Sequence, residues 1–137
     1  MIDPHTRTCF NSEWNLESWH PVGVLNVALA TLMVHYIGFE ERIKGLSFNR
    51  FADMSGLRSI ELTDEEIAGL AAERKASFEG LPPGKAAFFA PGDRAYEVSE
   101  TFACFMRSSD LEVKVFREMA AAAEWLGIPI EALRPEG

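Results

Sequence analysis

From Val22 to Phe39 the chain carries no charged residue. At a helical spacing of about 100° per residue, Leu25, Leu29, Leu32, Tyr36 and Ile43 fall within about 40° of one line. Val24, Val27, Val34 and Ile37 lie roughly opposite. The pattern predicts a helix over 22–39 that is apolar on two sides and therefore buried on both. Glu40-Glu41-Arg42, with Lys44 and Gly45 after them, predict its exit to solvent. Ahead of it, Thr8–Phe10 and Leu16–Trp19 are short runs of β-formers and aromatics around Asn11, Ser12, Glu13 and Asn15, which predicts a hairpin. His20-Pro21 closes its second strand, because proline donates no ladder hydrogen bond and restricts the residue before it.

Three strand-helix units follow. Phe48–Met54 is β-compatible. Thr63-Asp64-Glu65-Glu66 is a capping box, threonine and Glu66 satisfying free backbone donors at a helix start. The helix it opens puts Ile67, Leu70, Ala71 and Phe78 on one face and ends near Gly80. Lys85–Ala90 holds a continuous apolar run of the buried-strand kind. Pro91-Gly92-Asp93 turns into a helix with Ala95, Val98, Phe102, Phe105 and Met106 inward. Glu112–Phe116 is a last strand and Met119–Leu126 a last helix, stopped by Gly127 and Pro129. The order ββαβαβαβα predicts an α/β domain with a largely parallel sheet and an antiparallel hairpin edge. The whole chain, 1–137, reads as one domain, with a tail at about 128–137.

Composition narrows what such a domain does. Hydrophobic residues make up 47% and charged residues 25% of 137, the range of folded domains rather than of disordered chains. The net charge of −8 argues against nucleic acid and anionic membranes as partners. Eighteen uncharged residues in the first helix approach the roughly 20 of a membrane span, but Asn26, Thr31, His35 and two glycines speak for a buried helix instead. The Val24, Val27, Val34, Ile37 side is then a homodimer seam or the wall of a lipid-sized pocket. Cys9 and Cys104 form no disulfide framework and read as small apolar fillers, as expected of a reducing cytoplasm. The start of the chain has no secretory pattern, and the expected location is cytoplasmic.

Catalytic signals are sparse. His5, His20 and His35 fall on three separate elements without metal-pair spacing. Neither a dinucleotide fingerprint, a P-loop nor a nucleophile elbow is present, so no metal, cofactor or catalytic residue is expected. In open parallel sheets ligands bind beyond the carboxyl ends of the strands. That edge would carry Asp53 and Ser55 after one strand, Asp93 and Arg94 after the next, and Arg117 after the last. The same residue types also serve as plain turn and cap residues.

Asn49-Arg50-Phe51-Ala52-Asp53-Met54-Ser55-Gly56-Leu57, together with Val113-Lys114-Val115-Phe116-Arg117 through Ala123-Glu124-Trp125-Leu126, resembles bacterial STAS-like proteins. These are related in fold to the anti-sigma-factor antagonist SpoIIAA and are also labelled STAS/SEC14-like. The similarity runs from about Trp19 to Leu133. It implies a four- or five-stranded mixed sheet flanked by helices and a binding or regulatory role. SpoIIAA-type antagonists carry an Asp-Ser-Ser-Gly segment, at a helix start after the third strand, where a kinase phosphorylates a serine. Set against Leu62-Thr63-Asp64-Glu65-Glu66, this makes Thr63 the candidate phosphoacceptor. Three acidic residues directly after it would repel a phosphate, and the capping box already accounts for them. The expected function is a non-enzymatic regulatory module with a protein partner, acting as a homodimer. The alternative is a carrier or sensor of a small apolar or amphipathic ligand.

Overall fold

The computed structural model describes residues 8–45 and 48–134. His5 lies outside them. β1 (Thr8–Asn11) and β2 (Leu16–Trp19) form the antiparallel hairpin. Then come β3 (Gly23–Asn26), α1 (Val27–Lys44), β4 (Asn49–Asp53), a 3-10 turn (Met54–Gly56) and β5 (Leu57–Glu61). α2 (Asp64–Phe78), β6 (Gly84–Phe89), α3 (Asp93–Phe105), β7 (Leu111–Phe116) and α4 (Met119–Leu126) follow, with a last 3-10 turn at Ile130–Leu133.

The main sheet is five-stranded and mixed, in the order β1-β2-β4-β6-β7, with every pairing parallel except the hairpin. Side chains alternate between the faces of a strand. The register therefore puts Glu17, Trp19, Arg50, Ala52, Ala86 and Phe88 on one face. Leu16, Phe51 and Ala87 fall on the other. The first face packs against α1, α2 and α3 through Met33, Ile67, Leu70 and Val98. The second packs against α4 through Ala122, Ala123 and Leu126.

Several expectations need correction. The helix begins at Val27, not Val22, because Asn26 caps it by accepting from the Leu29 N–H at 3.0 Å. Val24 and Leu25 are strand residues, and β3 pairs in parallel with β5 in a second, two-stranded sheet absent from the predicted order. Glu41 is not at a solvent exit but fully buried. Cys104 is exposed rather than core filler, as is Phe105 beside it on α3. The helix turns its Val98, Ser99 and Ala103 side inward instead. Cys9 is also exposed, on edge strand β1 beside Ser18. The stretch read as a tail is held to the fold by Leu133, which is fully buried. Among the described residues no helix is long and apolar enough to cross a membrane.

Candidate functional site

The predicted strand-end residues separate into two pairs and one outlier. Asp53 ends β4 and caps the 3-10 turn, its Oδ1 accepting from the Ser55 N–H at 2.9 Å and the Ser55 hydroxyl at 2.6 Å. Its Oδ2 accepts from Nδ1 of buried His20 at 3.2 Å. Burial raises the Asp53 pKa, but the hydrogen bonds from His20 and Ser55 outweigh it and hold the carboxyl below its ordinary value. Asp93 forms an exposed ion pair with Arg117 at 2.8 Å, and the Arg117 guanidinium lies over Tyr96 at 4.1 Å. Arg94 turns away to donate to the Leu62 carbonyl at 2.9 Å and to pair with Glu97.

The turn that carries Ser55 is pinned to the chain entering β3. A Cβ on Gly56 would meet the Pro21 carbonyl oxygen at 3.0 Å and Val22 Cγ1 at 3.3 Å, so any larger residue would have to push the two segments apart by a few tenths of an ångström. Ser55 itself is exposed. Thr63 is the N-cap of α2, with both arms of the capping box formed: Thr63 Oγ1 accepts from the Glu66 N–H at 3.1 Å and Glu66 Oε1 from the Thr63 N–H at 3.0 Å.

The predicted seam of Val24, Val27, Val34 and Ile37 is not brought together. Val24 is on β3, Val27 is exposed in the first turn of α1, and Val34 and Ile37 pack inward against the core. The most exposed large apolar residues of α1 are instead Phe39 and Ile43, at 62% and 64%.

A polar cluster that the sequence reading missed lies inside the domain. Glu41 accepts from Arg74 Nη1 at 3.0 Å and Nη2 at 2.9 Å, and also from Arg50 Nη2. Arg50 Nη1 donates to the Phe48 carbonyl at 3.1 Å. Desolvation lowers both guanidinium pKa values, to about 9 for Arg50 and about 10 for Arg74, which leaves both charged at neutral pH. Glu17, register partner of Arg50 and 4% exposed, is pushed up to about 7 by burial, against the pull of Arg50. Glu17, Arg50 and Arg74 are part of the wall of a cavity of about 120 Å³ between the sheet and the three helices. The rest of that wall is largely apolar, with Ala30, Met33, Ile37, Ala86 and Phe88 among its residues.

A signal for the cluster was present. Arg50 sits mid-strand on the sheet face that the alternation of β4 turns toward the helices, so an acid had to meet it. Glu41 hid in a charged triplet whose neighbours Glu40 and Arg42 point elsewhere. Among the described residues no three His, Cys, Asp or Glu side chains gather as a metal site would require.

This architecture is that of the SpoIIAA-like fold. An uncharacterised protein of the DUF3478 family from Shewanella loihica, described as having a SpoIIAA-like fold, superposes with a TM-score of 0.54 at 16% identity, over 88% of this chain and 91% of that one. The anti-sigma factor antagonist SpoIIAA in its unphosphorylated form superposes with a TM-score of 0.53 at 13% identity, over 90% of this chain and 99% of that one. No family model and no curated protein matches the sequence.

Proposed function

We propose that the protein is a non-enzymatic, cytoplasmic regulatory module that binds a protein partner, with the Asp53-Met54-Ser55-Gly56 turn as its switch. The observation that carries this reading is the place of Ser55. In chain order β4 is the third strand of the main sheet, and the segment directly after it differs from Asp-Ser-Ser-Gly only at Met54. Ser55, rather than Thr63, is then the residue in the phosphoacceptor position. Ser55 is exposed and its hydroxyl is bonded to the neighbouring Asp53 carboxylate, whereas Thr63 is engaged in a capping box and followed by three acids.

The switch follows from electrostatics. A phosphate on Ser55 would carry about two negative charges next to the Asp53 carboxylate and displace the hydroxyl hydrogen bond. The turn would loosen, and with it the contact of Gly56 with Pro21 and the β3–β5 pair that starts at Leu57. Ser55→Asp is expected to speed amide hydrogen exchange in β3 and β5 while leaving β6 and β7 unchanged. Phosphopeptide mapping of the protein isolated from its own cells is expected to place the phosphoryl group on Ser55. Modification at Thr63 alone, or uniform exchange in the variant, would remove this reading.

The homodimer belongs to the same proposal, with its contact moved to Phe39 and Ile43, about 40° apart on α1. Native mass spectrometry is expected to show twice the chain mass, reverting to the chain mass in a Phe39→Glu, Ile43→Glu double variant. A wild-type monomer ends the dimer part. The carrier reading is kept as the second one because Val34 and Ile37 line the cavity, which supports an interior ligand.

A further inference from the structure

We infer that the internal cavity is a binding site for a small monocarboxylate with a compact apolar body, its head group held by Trp19 and Arg50. This rests on the carrier reading and names its ligand class. Trp19 Nε1 and Arg50 Nε are both buried without a hydrogen-bond partner among the described residues, and both side chains are part of the cavity wall. Trp19 is 8% and Arg50 7% exposed, so bulk water does not serve these atoms. Buried polar groups left without a partner are costly, and native proteins have few of them.

The chemistry of the two orphans selects the ligand. Both are N–H donors that accept nothing, so they call for an acceptor. They lie on one face of the sheet, on the adjacent strands β2 and β4. The charges nearby favour an anionic acceptor. Arg50 and Arg74 share the single carboxylate of Glu41. The acid that does line the cavity, Glu17, is poorly solvated and readily takes a proton. A ligand carboxylate supplies both the acceptor atoms and the missing negative charge, and charge-assisted hydrogen bonds are the strong ones.

Size sets the body of the ligand. An engineered cavity of about 150 Å³ lined by apolar side chains binds benzene. The cavity here, about 120 Å³, is smaller than that, which limits the apolar body to about five carbons. Hexanoate, with five carbons beyond its carboxylate, is therefore the main probe, and benzoate tests the size limit. Water alone is a poor occupant of the remainder, because an ordered water needs about two to four polar partners and most of the wall is apolar.

The experiment uses the full chain with benzoate, hexanoate, benzene and hexylammonium, each read by calorimetry and by thermal unfolding. The Trp19 indole N–H resonance, assigned with Trp19→Phe, is followed in parallel. Benzoate or hexanoate is expected to shift that resonance and to raise Tm by roughly 5 °C at about ten times Kd. Trp19→Phe keeps an aromatic ring and removes the donor, and is expected to weaken the carboxylates roughly tenfold while leaving benzene unchanged. Benzene binding without carboxylate binding would overturn the carboxylate assignment and leave the carrier reading in place. Preferential binding of hexylammonium would overturn it as well, by making Glu17 the recognising group. No binding by any probe would overturn both. Binding that Trp19→Phe does not weaken, with no movement of the indole resonance, would place the ligand elsewhere and overturn the site.

Discussion

Glu41→Gln is expected to destabilise the fold by about 3–5 kcal/mol, the usual cost of removing one member of a buried ion pair. The carboxylate is fully buried and accepts hydrogen bonds from both Arg50 and Arg74. Its removal leaves two guanidinium groups desolvated with no anion between them. Surface pairs such as Arg94–Glu97 contribute at most about 1 kcal/mol, so the contrast between the sites is itself informative. Domains are stable by roughly 5–15 kcal/mol, so the Gln variant should show a large loss in urea unfolding or fail to fold. A loss below about 1 kcal/mol would show that water reaches the cluster. Replacing all three residues by Met or Leu is expected to cost far less than Glu41→Gln, since the penalty comes from unpaired charge rather than lost volume.

The second large effect depends on pH. Glu17 titrates near 7 in the folded protein and near 4.5 when unfolded. Between those values the folded state binds the extra proton, so this group's contribution is fully present below pH 4.5 and lost as pH rises through 7. The loss is about 2 kcal/mol, since each pKa unit corresponds to about 1.4 kcal/mol and a carboxyl that is not fully desolvated realises less than the full amount. Glu17→Gln carries no charge at any pH. It is expected to match the wild type near pH 4.5 and to exceed it by about 2 kcal/mol near pH 8. Urea unfolding of both proteins at the two pH values measures this directly. Parallel stability profiles would mean that the carboxyl is as well solvated folded as unfolded.

Local patterns announced most of the elements. The hairpin, the capping box at Thr63, the apolar run of β6 and the Gly127 stop of α4 each appear where their residues predicted. β3 was legible only through Asn26, a good N-cap residue. The uncharged stretch around it suits a helix and a buried strand equally, and periodicity over four residues does not separate the two. β5 is half-exposed and gains its strand character only from pairing with β3.

The functional residues divided along the same line. Asp53 and Ser55 were visible as candidates because turn chemistry is written in neighbouring residues. The link from Asp53 to His20 spans 33 positions, as does that from Glu41 to Arg74, and no local pattern carries either. Sequence by itself determined the fold class, the hairpin edge, the strand-helix order and the strand-end turns, since these depend on propensity, period and caps within a few residues. Tertiary structure alone decided which charges are buried, which side of α1 faces solvent, and that Trp19 and Arg50 both line one cavity. Those outcomes depend on desolvation and on contacts between distant segments, and both arise only when the chain is closed on itself.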